Sequence, residues 1–147
     1  MRILVVDDDT VILSLVASVF EGAGDYALET YADPVEAWVR LTDLDSPTPD
    51  IIVLDVTMPG LNGLDLLKDL RAHPFRFDIP VVLLTARDSI DDEVLGWYAG
   101  CDAYVRKPFD PAELLKTVDA LEEAGSDLRL ARRHAKLSKL LGPTFSF

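Results

Sequence analysis

The chain has 147 residues, a formal net charge of −12 and a hydrophobic content of 49%. This length fits one domain with a single substantial core, and the hydrophobic content is too high for a disordered chain. The negative charge argues against a general binder of nucleic acids or membrane surfaces, and no apolar run is long enough to span a membrane. Cys101 is the only cysteine, so no internal disulfide can form. Because the amino terminus also lacks a signal-peptide pattern, we expect a cytoplasmic protein.

Acidic and basic residues are unevenly distributed along the chain. Residues 1–125 contain 25 acidic and 9 basic side chains, whereas residues 126–147 contain 1 acidic and 5 basic side chains. This change in charge predicts a boundary near Gly125. We therefore expect one acidic domain over residues 1–124 and a basic, helical tail or linker over residues 125–147.

Apolar runs of strand length alternate with helical patterns in the first 124 residues. The predicted strands cover residues 3–6, 26–31, 51–54, 81–84 and 103–105. The first, third and fourth runs contain no alternating polar residues, which is typical of parallel strands that are covered on both faces. The sequences DPVE and DPAE, which begin at Asp33 and Asp110, combine an N-cap aspartate with a proline at the first helical position. The repeated alternation predicts an α/β fold with a parallel sheet and helices on both faces.

Polar residues stand where four of the predicted strands end: Asp7 and Asp8 after the first, Asp55 after the third, Thr85 after the fourth and Lys107 after the fifth. Taken alone, the first acidic cluster also fits a solvated turn. However, the carboxyl ends of parallel strands meet at one edge of a sheet, where such folds bind ligands. Carboxylates suit Mg²⁺, and a lysine beside them fits a phosphoryl group held between the metal and the ammonium.

Four stretches in register resemble the receiver domain of two-component response regulators. They read ILVVDDD, DIIVLDVTMPGLNGLDLLKDLR, PVVLLTARD and GCDAYVRKPFD, and the resemblance covers residues 2 to about 124. It implies a doubly wound, flavodoxin-like sheet of five parallel strands in the order 2-1-3-4-5, to which the tail adds a C-terminal helical extension.

The resemblance also implies a role for each residue at the predicted edge. Asp55 falls on the phospho-acceptor position, and the metal would be Mg²⁺ or Mn²⁺. The implied metal ligands are Asp7, usually through water, together with Asp8, Asp55 and the backbone carbonyl of Thr57. Thr85 and Lys107 match the residues that contact the phosphoryl group. Thr85 and Tyr104 match the switch pair that responds to it.

The implied function is phosphorelay signalling rather than enzymatic turnover of an external substrate. A sensor histidine kinase or a phosphotransfer protein would donate the phosphoryl group, which the domain itself would later lose to water. We expect no direct contact of this chain with nucleic acid or membrane. One alternative is a phosphatase of the haloacid-dehalogenase type, in which DDDTV would supply Asp7 as the nucleophile. A flavodoxin-like cofactor binder is a second alternative, although no phosphate-binding loop follows the first strand.

Three finer expectations concern single residues. The resemblance implies a cis peptide bond between Lys107 and Pro108. It also implies that Thr57 and Arg87 control the access of water to the acyl phosphate, and the length and charge of Arg87 favour a slow hydrolysis. Asp9 matches no functional position, so we interpret it as a solvated residue near a helix start.

The tail predicts a basic helix over residues 126–141 that ends at Gly142 and Pro143. Its residues with a 4-3-4 spacing are Leu130, His134, Leu137 and Leu141. This pattern fits the seam of a short coiled coil or of a signalling helix, and it fits equally a marginal helix or a helix that docks on its own domain. Related regulators dimerise through arginines on the fifth helix, but Asp119, Glu122 and Glu123 stand there in this chain. We therefore expect any homodimer to use the tail.

Overall fold

The computed structural model describes residues 1–142, which form a parallel sheet of five strands with helices on both faces. The strand order is β2-β1-β3-β4-β5, which confirms the predicted doubly wound topology. The strands are β1 (Arg2–Val6), β2 (Ala27–Tyr31), β3 (Ile51–Leu54), β4 (Val81–Thr85) and β5 (Ala103–Arg106). All four strand pairs are parallel. The first, third and fourth strands, whose apolar runs contain no alternating polar residues, are also the most buried, since each lies between two helical layers.

Residues 1–142 also form six helices, of which the first five each follow a strand and the sixth follows the fifth helix. They are α1 (Thr10–Glu21), α2 (Pro34–Thr42), α3 (Gly63–Ala72), α4 (Ile90–Ala99), α5 (Pro111–Glu123) and α6 (Ser126–Leu141). The predicted caps are confirmed, because Asp33 and Asp110 accept hydrogen bonds from the backbone amides two residues further on. Asp9 is more than a solvated residue: its carboxylate accepts from the amides of Val11 and Ile12 and caps α1.

Alternate residues of the central strands point into two separate cores. One core lies between the sheet and α1 and α5, with Val16, Phe20 and Val118 fully buried. The other core lies under α2, α3 and α4, where Leu41, Leu66 and other apolar side chains are buried. This arrangement fixes the sheet between its helices and holds the ends of the strands in place.

The tail forms the predicted helix, and α6 docks on its own domain. Leu137, in the middle of the predicted seam, is 4% exposed and joins the core that contains Trp97 of α4. Leu130 and Leu141 remain partly exposed. The helix ends at Leu141, and Gly142 has a φ of 88°, which suits a residue without a side chain. The predicted helix stop at Pro143 lies outside the described residues.

Over residues 1–142, no helix combines the length and the apolar composition that crossing a bilayer requires.

Candidate functional site

The sheet register brings the ends of β1, β3, β4 and β5 to one edge. The amide of Asp55 donates to the carbonyl of Val6 at 2.9 Å, and the amide of Lys107 donates to the carbonyl of Thr85 at 2.8 Å. These bonds continue the ladders of the sheet past the last strand residues. The polar residues that follow the strands are therefore held by the backbone itself, and the predicted convergence at one edge is observed.

Three carboxylates meet at this edge. Asp7, Asp8 and Asp55 each offer an oxygen within 4.8 Å of those of the other two. Asp7 and Asp55 are buried, with 1% and 6% of their surface exposed, whereas Asp8 is open to solvent. The Lys107 ammonium lies 2.6 Å from Asp7 Oδ2 and 3.7 Å from Asp55 Oδ2. One positive charge beside three carboxylates leaves an excess of negative charge, which suits a divalent cation.

Asp7 and Asp55 differ in how fully their oxygens are bonded. Asp7 Oδ1 accepts from the amide of Asp9 at 2.9 Å, and its Oδ2 accepts from Lys107. Asp55 Oδ1 accepts only a long bond of 3.4 Å from the amide of Thr57. Burial, together with the charge of Asp7, raises the pKa of Asp55 from 3.8 to about 6, although Lys107 opposes this shift. Asp55 is thus the less firmly bonded carboxylate of this buried pair.

The start of α3 packs directly on the backbone of Asp55. The amide of Gly63 donates to the carbonyl of Val56 at 2.9 Å. A Cβ atom at Gly63 would stand 2.0 Å from the carbonyl oxygen of Asp55 and 2.8 Å from the Cα of Val56. Only glycine permits this approach, so Gly63 sets the distance between α3 and the segment that carries Asp55.

Arg87 connects the loop after β3 with the start of α4. Its Nε donates to the hydroxyl of Thr57 at 2.9 Å, and its Nη1 lies 3.3 Å from Asp92 Oδ1. Its backbone amide donates to the hydroxyl of Thr85 at 3.2 Å. The guanidinium therefore lies over Thr57, close to the Asp55 segment.

Tyr104 lies between the site and α4. Its hydroxyl donates to the carbonyl of Arg87 at 2.8 Å. Its ring packs on Gly96, where a Cβ atom would stand 3.0 Å from Tyr104 Cδ2. Burial and the nearby charge of Asp92 raise the pKa of the Tyr104 hydroxyl to about 12. Tyr104 thus contacts both the loop after β4 and the inner face of α4.

Sequence reasoning missed a second charged cluster at the opposite edge of the sheet. The side chain of Asp102, which precedes β5, is fully buried and contacts Arg71 of α3 together with Arg129 and Arg133 of α6. Asp102 also accepts from the amide of Val81 at 2.9 Å. The basic tail on an acidic chain was the one available signal. This charge difference indicates that the tail is attracted to the acidic domain, but it does not identify Asp102 as the residue that the tail contacts.

The peptide bond between Lys107 and Pro108 is cis, as expected from the resemblance.

Comparisons with known proteins agree with this geometry. The family model described as the response regulator receiver domain matches residues 3–119. The phosphate regulon transcriptional regulatory protein PhoB of Escherichia coli is 40% identical over 120 residues, which cover 82% of this chain and 51% of that protein. The chain therefore spans about half the length of this curated relative.

Solved structures give the same result. The receiver domain of the Francisella response regulator 1452 is 35% identical and superposes with a TM-score of 0.74, covering 83% of this chain and 96% of that one. The Mn²⁺-bound form of response regulator Rcp1 is 28% identical, with a TM-score of 0.71, and the match covers 82% of this chain and 91% of that one. These matches favour a receiver over the phosphatase and the flavodoxin-like alternatives. The chain belongs to the response regulator receiver domain family of two-component systems.

Proposed function

We propose that Asp55 accepts a phosphoryl group from the phosphohistidine of a sensor histidine kinase or a phosphotransfer protein. The observation that carries this proposal is the meeting of three carboxylates and one ammonium at the carboxyl edge of the sheet. A divalent cation would neutralise the carboxylates, and the Lys107 ammonium would pair with an oxygen of the phosphoryl group. Asp55 is preferred to Asp7 as the acceptor because both oxygens of Asp7 are already bonded at short distance.

Mg²⁺ or Mn²⁺ fits the residues at this edge. Asp7, Asp8 and Asp55 are hard oxygen donors, and the backbone carbonyl of Thr57 would be the fourth protein ligand. The Mn²⁺-bound structure of the related Rcp1 supports the choice of metal. A bound divalent cation would neutralise the negative charge that Asp55 and the phosphoryl oxygens bring together.

The chemical step is an in-line transfer of the phosphoryl group. An ionised oxygen of Asp55 attacks phosphorus, a P–O bond forms, and the P–N bond breaks with its electron pair returning to the donor imidazole. Lys107 balances charge on one phosphoryl oxygen, and the Thr85 hydroxyl donates to another. The chain does not turn over an external substrate. Its own chemistry is limited to this transfer and to the later hydrolysis of its acyl phosphate. Arg87 slows that hydrolysis because it covers Thr57.

The phosphoryl group would change the surface of the domain through Thr85 and Tyr104. When Thr85 turns to the phosphoryl group, the amide of Arg87 loses its bond to the Thr85 hydroxyl. Tyr104, whose hydroxyl donates to the carbonyl of Arg87, would then change its position. The result is a shift between two populations of one fold.

The remaining parts of the proposal concern organisation and partners. Residues 1–124 act as the receiver, and residues 125–147 act as a basic tail through which any homodimer would form. The acidic charge of the domain supports protein partners rather than direct contact with nucleic acid or membrane. The proposed location is the cytoplasm, where the chain would encounter such a kinase or phosphotransfer partner.

Incubation with acetyl phosphate and Mg²⁺ tests the acceptor. We expect incorporation of one phosphoryl group into the wild-type chain and none into Asp55→Asn. Asp8→Asn should weaken Mg²⁺ binding because it removes a carboxylate from the cluster. Asp25→Asn, which removes an exposed carboxylate elsewhere, is the matched control and should behave as wild type. Full labelling of Asp55→Asn would refute the assignment.

A further inference from the structure

Helix α6 follows the five strands and five helices of the receiver fold. It packs against a surface that carries both charged and apolar residues. We call the residues Glu93 and Trp97 of α4, together with Asp102, the α4–β5 face. Leu137 is buried in the core that contains Trp97. Arg133 Nη2 lies 2.7 Å from Asp102 Oδ1, and Lys136 Nζ lies 3.8 Å from Glu93 Oε2.

The chemistry of the two surfaces is complementary. The face presents two carboxylates that are almost fully buried, one at each end, and an indole ring between them. Helix α6 presents Arg133 and Lys136 to these two carboxylates, and the next residue, Leu137, is buried in the apolar core. The face therefore fits a basic amphipathic helix, and α6 is the one seated on it.

The packing of α6 is incomplete. A surface cavity of about 190 Å³ remains between α4 and α6, lined in part by Tyr98, Gly100 and Leu130. Within α6, Arg129 and Leu137 are the buried residues, and no side chain caps the first turn of the helix. A helix that is held by ion pairs, by Leu137 and by the partly buried Leu140 can leave its site without unfolding the domain.

Glu93 links the bound helix to the sheet. Its carboxylate accepts from Trp97 Nε1 at 3.3 Å and from Arg106 of β5 at 3.0 Å, while Lys136 of α6 approaches it from the other side. A small shift of α4 therefore changes the contact with β5 and the contact with α6 together.

Arg87 links the same segment to the site at Asp55. Its guanidinium is shared between Thr57 and Asp92, the residue that precedes Glu93. A phosphoryl group on Asp55 adds negative charge and three acceptor oxygens close to Thr57. Such a group would compete with Asp92 for Arg87, and the first turn of α4 would lose this contact.

We propose that the α4–β5 face is a receptor for a basic amphipathic helix, that α6 occupies it within the same chain, and that phosphorylation of Asp55 releases α6. The release rests on the proposed function. The coupling runs from Arg87 to Asp92 and Glu93, and also from Tyr104 to Gly96, which packs closely on that ring. Because coupling between two sites is reciprocal, weaker docking of α6 must strengthen binding of a phosphoryl group or its mimic.

Amide hydrogen exchange of the full chain measures the release. Beryllofluoride with Mg²⁺ serves as the phosphoryl mimic because it binds at equilibrium. We expect exchange over residues 126–141 to become about fivefold faster or more at saturation, the lower range of ordinary coupling. The same addition to Asp55→Asn should change nothing. Unchanged or slower exchange in α6, at a saturated site, would overturn the proposal.

Two charge-matched variants test the reciprocal effect. Arg133→Gln removes a contact with Asp102, which keeps Arg71 and Arg129, so the domain stays folded. Lys139→Gln removes the same charge from the exposed side of the helix. We expect Arg133→Gln, unlike Lys139→Gln, to speed amide exchange in α6 in the absence of beryllofluoride. It should also lower the beryllofluoride concentration needed for half-saturation severalfold. Equal behaviour of the two variants would contradict the proposal.

Two controls separate the possible failures. Protection of the amides around Asp55 and Thr85 reports whether beryllofluoride binds, so the absence of that protection counts against the proposed function. Protection there without any change in α6 counts against this inference alone. Light scattering should give a monomer before phosphorylation, and a dimer that exchanges α6 between copies would overturn the intramolecular docking.

Discussion

Replacing Asp55 by asparagine should stabilise the metal-free domain, although it removes the acceptor. Ionised Asp55 is disfavoured in the folded chain because it is buried beside Asp7, and its pKa is raised from 3.8 to about 6. Asparagine keeps the shape of the side chain without the charge. The variant therefore avoids a free-energy cost that the wild type carries at neutral pH.

The size of the effect follows from the shift in pKa. About two pKa units correspond to about 3 kcal/mol in the free energy of unfolding. The edge of the sheet is open to water at Asp8, and screening reduces this figure to about 1–2 kcal/mol. For a chain of this length, that difference raises the midpoint of thermal unfolding by roughly 2–8 °C.

The pH dependence has a definite sign. Because folding raises the pKa of Asp55, the protonated form stabilises the wild type below about pH 4, and this contribution is lost as the pH rises through about 6. The advantage of Asp55→Asn should therefore be small near pH 4, grow up to about pH 7 and stay constant above it.

Urea unfolding in the presence of a chelator, followed by far-ultraviolet circular dichroism from pH 4 to 8, measures this difference. Asp25→Asn is the control and should stay within about 0.5 kcal/mol of wild type. Added Mg²⁺ should stabilise the wild type more than Asp55→Asn, because the metal offsets the repulsion. The reasoning is refuted if the variant is less stable than wild type at pH 8, or if the difference is independent of pH.

Three further predictions follow from the structure. Gly63→Ala should destabilise the domain by about 1–3 kcal/mol or more, since backbone atoms cannot yield to the added methyl group. Gly22→Ala, where the added Cβ would make only ordinary van der Waals contacts, should stay near wild type in the same unfolding assay. Arg87→Ala should speed loss of the phosphoryl group severalfold, measured by the decay of radiolabelled protein, and an unchanged rate contradicts the shielding role. Deleting residues 126–147 should abolish any homodimer seen by light scattering, and a dimer that persists rules out the tail.

The sheet and its carboxyl edge could be predicted from the sequence for a simple physical reason. Strands covered on both faces leave uninterrupted apolar runs, and the first polar residue after each run marks the point where the strand leaves the core. Asp7 and Asp55 are such residues. Their positions depend on strand ends and on strand order, which a parallel α/β pattern constrains strongly.

The role of Asp9 could not be read in the same way. Three consecutive aspartates look equivalent in the sequence, and only the turn of the backbone decides which one meets the free amides of a helix. Asp9 has an extended conformation, with φ at −82° and ψ at 105°, which aims its carboxylate at the first turn of α1.

The docking of α6 also lay beyond the sequence. A 4-3-4 spacing of apolar residues serves a coiled coil, an isolated helix or a docked helix equally well. The features that decide between them are the burial of Leu137 in the core that contains Trp97 and the ion pair of Arg133 with Asp102, and both join distant parts of the chain. Such tertiary contacts depend on the direction in which the chain turns after α5.

The position of the phosphoryl group on the chain tests the central claim most directly. Borohydride reduces an aspartyl phosphate to homoserine, which leaves a stable mark that peptide mass spectrometry can locate after treatment with acetyl phosphate and Mg²⁺. The account predicts homoserine at position 55 and an unmodified residue at position 7. Homoserine at position 7 in place of 55 would contradict it and would favour the phosphatase alternative.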